Sequence, residues 1–118
     1  MVFFSATNLI RSAAALLILC AILHSVSWKA TRERFPAKEK AFAAVLWFLL
    51  AIDWVVFGCL WLIAASGGVA MQPFLLLSSV IPLAVTAGLC LTAGFTFFPM
   101  YLQLGAFLLL VAGTLRLA

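Results

Sequence analysis

The stretch WFLLAIDWVVFGCLWLIAA, Trp47 to Ala65, carries a single charged residue, Asp53. An apolar run of that length is about what a helix needs to cross the ~30 Å hydrocarbon core of a bilayer. Within it Trp47, Trp54 and Trp61 recur every seven residues, and each is followed four residues later by a small one: Ala51, Gly58 and Ala65. At about 100° per residue all six positions share one narrow helix face. That face alternates a flat ring with a gap. It predicts close packing of a second helix, or a lipophilic ligand such as a quinone, carotenoid or lipid tail lying between the rings.

The rest of the chain agrees with a membrane setting. Hydrophobic residues make up 68% of the 118 residues and charged ones 8%. Soluble domains average about half apolar and a quarter charged. The expected fold is therefore an all-α integral membrane protein, one domain of four transmembrane helices in a compact bundle. The net charge is +4, but Lys29, Arg32, Arg34, Lys38 and Lys40 supply five of the seven basic residues. Such a cluster in one short link is a topology signal and gives no nucleic-acid footprint.

Working outward, the predicted helices are roughly 9–28, 40–65, 73–93 and 99–117, with a polar link at 29–39. Arg11 precedes the apolar run Ala13 to Leu23, but no A-x-A cleavage site follows, so this segment reads as a retained first helix. Gly67 and Gly68 end the second helix. Pro73 and Pro99 suit first-turn positions. Pro82 should bend the third helix and release the carbonyl of Ser78, which the Ser78 and Ser79 hydroxyls help to compensate. Phe3, Phe4, Phe95, Phe97, Phe98 and Tyr101 read as interfacial aromatics. The basic link should be cytoplasmic and both termini outside, in a membrane of the bacterial inner type; Arg11 and Arg116 oppose this, two against five.

Polar side chains within the spans are few. Asp53 lies about 20 Å along its helix from Lys40, where a charge is expensive, so it is expected to face the bundle. Thr86 should sit at the same depth, which makes an Asp53–Thr86 hydrogen bond the specific expectation for the membrane centre. His24, the only histidine, and Gln103 fall at a matching shallow depth, and with Tyr101 they form a candidate polar layer on the cytoplasmic side. Ala84, Gly88 and Thr92 give the third helix a small-residue face, the expected partner of the tryptophan stripe or a dimer contact. Cys20, Cys59 and Cys90 lie singly in apolar runs, with neither disulfide nor metal-ligand spacing.

In size and number of spans the chain is similar to small multidrug transporters, but their glutamate in the first helix has no counterpart here. A Cys-x-x-Cys pair and the several histidines of four-helix di-haem cytochromes are also absent. No nucleophile–base pair or metal set marks an enzyme, no metal site is expected, and no cofactor is called for. Two function classes follow. One is a non-enzymatic accessory or assembly subunit in the lipid bilayer, packing against itself or a larger membrane complex. The other is a small homodimeric proton- or cation-coupled transporter or channel using Asp53.

Overall fold

The computed structural model describes residues 5–94 and 98–117. Five helices carry them: α1 (Ala6–Thr31), α2 (Lys40–Ala64), α3 (Gln72–Ser78), α4 (Val80–Ala93) and α5 (Phe98–Leu115). No strand occurs among the described residues. Because α3 and α4 follow each other within one span, four helical segments are long and apolar enough to cross a membrane. Phe3, Phe4, Phe95 and Phe97 lie outside the described residues, while Phe98 and Tyr101 are exposed.

Local chemistry explains where these elements begin and break. Helix α1 starts at Ala6, before its apolar pattern becomes regular, because the Ser5 hydroxyl accepts the Asn8 N–H at 3.2 Å and caps it. Single 3₁₀ turns at Arg32–Arg34 and Ala37–Glu39, on either side of Phe35 and Pro36, carry the chain from α1 to α2. The third span divides at Ser79, three residues before Pro82. Proline has no N–H for the Ser78 carbonyl, and the two serine hydroxyls turn back to the carbonyls of Leu75 and Leu76, at 3.2 and 2.6 Å.

Helix α1 is the centre of the arrangement, packed between α2 on one side and α5 on the other; α3 and α4 cover α5. Its inward face is Ile10, Ala13, Ala14, Leu17, Cys20 and Ala21, all buried. These small side chains let its neighbours approach closely. A Cβ added at Gly58 of α2 would lie 2.6 Å from Ile18 Cγ1 of α1, and one added at Gly113 of α5 would lie 2.9 Å from the Ala6 carbonyl oxygen. The tryptophan stripe thus packs mainly on α1, and the third span meets it only at Trp61, through Ser78 of α3 and not through Ala84, Gly88 and Thr92. Ala84, Gly88 and Thr92 are exposed, with nothing within 4 Å of a Cβ built at Gly88. The reason is that α1, the preceding helix in the chain, already offers a small-residue face to α2.

Polar ties close the other contacts. Trp61 Nε1 donates to Ser78 Oγ at 2.8 Å, joining α2 to α3. Gln72 Nε2 donates to the Thr114 carbonyl at 3.0 Å, joining the start of α3 to the end of α5. The outward surface is apolar: Leu91, Leu77 and Ile63 are more than 70% exposed.

Candidate functional site

Near the basic link, α1 and α2 are locked by a reciprocal pair. Trp47 Nε1 donates to the His24 carbonyl at 2.6 Å, and His24 Nε2 lies 3.0 Å from the Trp47 carbonyl oxygen. A carbonyl oxygen can only accept, so Nε2 carries the proton and Nδ1 is left as the variable nitrogen. The two rings stack at 4.1 Å with an interplanar angle of 10°, and Trp54 meets the imidazole edge-on at 5.1 Å. The heptad spacing of Trp47 and Trp54 is what brings both indoles to one histidine. Beyond them Trp28 packs against Phe35, Trp47 and Phe48.

Beside this pair a cavity of about 400 Å³ opens between α1, α2, α4 and α5. His24 and both indoles line it with Cys20, Leu89 and Gln103, and it extends toward Thr31 and Arg34 at the link. Gln103 is 1% exposed, yet neither its Nε2 nor its Oε1 has a hydrogen-bond partner among the described residues; nor does the buried Nε1 of Trp54. The Cys20 thiol lies beside the Gln103 amide, but a thiol is too weak a partner to satisfy it. Each unpartnered buried polar group costs about 1–3 kcal/mol. These three atoms, on two residues that line the cavity, are the least satisfied polar groups among the described side chains.

The sequence-derived sites fare differently. His24 and Gln103 do share one cavity, whereas Tyr101 is exposed and is not among its lining residues. The membrane-centre pair does not form. Asp53 is exposed on the outer surface of α2, and the Thr86 hydroxyl donates to the Pro82 carbonyl of its own helix at 2.7 Å. The helical offset of about 100° between Asp53 and the buried Trp54 explains the exposure, since α2 is covered along one face only. Trp47 is half-buried, and Ala51, Trp54, Gly58, Trp61 and Ala65 are buried.

Sequence reasoning missed Cys20 and Arg34 as neighbours of this cavity, although Cys20, His24 and Ser27 follow at helical spacing on α1. Among the described residues no group of three or more histidine, cysteine or acidic side chains is placed to hold a metal ion. The cysteines are free; Cys20 is buried but Cys59 is exposed. In comparisons with known proteins, no family model, no curated protein and no solved structure matches the chain.

Proposed function

We propose that this chain is a non-enzymatic accessory subunit of the membrane, which assembles with another membrane protein or with itself through the outer face of α2. The observation that carries the reading is Asp53. By helical rise it lies about 20 Å from Lys40 and about 17 Å from Ala64, in the middle of a helix whose flanking Ile52, Val55 and Val56 are exposed. Asp53 makes no hydrogen bond or ion pair with the described residues, and a carboxylate left in lipid at that depth costs at least ~2.5–3.5 kcal/mol. A neighbouring helix that donates a hydrogen bond removes that cost. The apolar surface on every span supports insertion in a bilayer, and the basic link supports a cytoplasmic position for residues 29–40, with the termini outside as in a bacterial inner membrane.

Gentle extraction and purification through a tag is the test. Wild-type protein is expected to bring down a stoichiometric membrane subunit or a second copy. Asp53→Leu should reduce that recovery at least tenfold, while Asp53→Asn retains most of it because the amide still hydrogen-bonds. Full assembly of Asp53→Leu would overturn the proposal. The second reading, a homodimeric transporter, rests on the same exposure: copies joined through α2 would bring two Asp53 side chains together. It predicts instead that Asp53→Asn assembles normally and loses pH-dependent flux in proteoliposomes.

Orientation has its own check. With Cys20, Cys59 and Cys90 replaced, Ala37→Cys is expected to resist a thiol reagent confined to the outside and to react once the membrane is opened. Labelling from outside intact cells would invert the topology.

A further inference from the structure

We propose that the cavity beside His24 holds the acyl chain of a long-chain anionic lipid, whose phosphate or carboxylate head rests on Arg34. The ground is the order of polarity along one side of α1. Cys20, His24, Ser27 and Thr31 line the cavity, and steps of three or four residues keep them on one helix face. Arg34, in the 3₁₀ turn that follows α1, completes the series. Over roughly 20 Å of rise the wall passes from a thiol, through an imidazole and two hydroxyls, to a cation. Leu89 and the Trp54 indole add apolar surface away from the link. A molecule that is apolar at one end and charged at the other matches that order.

The sign of the charge follows from what each polar group has left to give. His24 Nε2 donates to the Trp47 carbonyl at 3.0 Å. The Ser27 hydroxyl donates to the His24 carbonyl at 2.7 Å, and the Thr31 hydroxyl to the Ser27 carbonyl at 2.9 Å. These half-buried groups have spent their protons within the protein and form a polar belt without charge. Arg34 differs. It is exposed and makes no ion pair among the described residues, while Glu33 is held by Arg32 at 3.3 Å and Lys40 at 3.1 Å. A guanidinium has five donors and no acceptor, and its fork suits phosphate and carboxylate oxygens. Basic sites at the cytoplasmic ends of helices draw anionic lipids in the same way. The volume of about 400 Å³ is that of roughly a dozen waters, and a methylene is of similar size, so the cavity takes most of one chain and not two. Helix α2 packs on α1 and α4 on α5, but α2 and α4 scarcely touch. The cavity is therefore a cleft between two helix pairs, which a chain can enter without unpacking either.

Quenching of tryptophan fluorescence by lipids brominated in mid-chain tests this, since Trp47 and Trp54 line the cavity. The protein is reconstituted in phosphatidylcholine vesicles containing a small fraction of brominated phosphatidylglycerol. Saturable quenching is expected, at least threefold stronger than with brominated phosphatidylcholine at the same fraction. Arg34→Gln should abolish that preference and Arg34→Lys should keep most of it. Lys38→Gln removes the same charge from the same link at a residue that does not line the cavity, and should leave the preference unchanged. Equal losses in Arg34→Gln and Lys38→Gln would mean a basic surface only and overturn the site. Absence of any preference for phosphatidylglycerol in wild type would overturn the proposal outright. Two competitors separate the parts of the ligand. Glycerol 3-phosphate, a head without a chain, should not restore the fluorescence; if it does, Arg34 acts alone and the role of the cavity falls. Unbrominated stearate restores it if a fatty acid serves as well as a phospholipid, and its failure assigns the cavity to phospholipid.

Discussion

Gly113→Leu is expected to abolish the folded protein, and even Gly113→Ala should cost more than Gly58→Ala. A Cβ at Gly113 would lie 2.9 Å from the Ala6 carbonyl oxygen, Ile10 Cγ1 and Leu9 Cβ. The oxygen is backbone and Leu9 Cβ cannot move by any rotation of its own side chain, so α5 must back away from α1. Overpacking of this kind costs about 1–3 kcal/mol, more than the ~1 kcal/mol gained by replacing glycine within a helix. At Gly58 the approach is closer, 2.6 Å, but it is to Ile18 Cγ1, a side-chain atom that can give way at the cost of a less favoured χ1; the nearest backbone atom, the Ala14 carbonyl oxygen, stands off at 3.3 Å. Gly88→Ala meets nothing within 4 Å and should gain the propensity term alone. Unfolding in mixed micelles titrated with SDS should therefore rank Gly88→Ala above wild type, then Gly58→Ala, then Gly113→Ala. Equal stability of the last two would show that α1 and α5 are not in backbone contact.

That ranking also marks where the sequence is readable. Gly58 stands in a visible pattern, because tryptophans every seven residues draw the eye to the small residues between them. Gly113 does not, although Gln103, Ala106, Leu110 and Gly113 follow the 3-4-3 spacing of a buried face and all four are buried. In so apolar a segment, leucine occurs on every side, and the spacing of inward positions is lost among equally hydrophobic outward ones. The four spans themselves were legible from composition and length. Which helix each face meets was not, since α1 and α4 both offer small residues and only the structure gives the stripe to α1.

The polar residues show the same division between depth and direction. Counting rise along the helices brought His24 and Gln103 to one level, and both line the cavity. Tyr101 is two residues from Gln103, about 200° round the helix, so it shares the level and not the face. Asp53 departs from its expected place for a different reason. Its desolvation cost demands a cover, but the cost is indifferent to whether that cover is this chain's own helix or another protein's. Desolvation cost predicts location only for a chain that buries its acids by itself, and α2, packed on α1 and touching α3 at Trp61 but bare around Asp53, does not.

Trp61→Ala should be the most destabilising of the tryptophan substitutions, by about 3–5 kcal/mol, and Trp61→Phe should recover most of that loss. The side chain is 0% exposed and packs in the main core, so truncation leaves a void that neighbouring helices fill only in part. Its Nε1 donates to Ser78 Oγ at 2.8 Å, while that hydroxyl itself donates to the Leu75 carbonyl at 3.2 Å. Phenylalanine removes the first bond, worth about 0.5–1.5 kcal/mol, and keeps most of the volume. Trp47, half-buried near the link, should cost less on truncation because the opened space reaches the surface. The consequence of the Trp61 bond is local as well as global, since it ends on the serine next to the break between α3 and α4. Amides of Ser79, Val80, Ile81 and Leu83 should exchange faster in Trp61→Phe than in wild type, with those of the first half of α1 unaffected. Uniform acceleration over all helices would mean that the bond adds only to global stability, and that the divided third span is held by the two serine hydroxyls and Pro82 without help from α2.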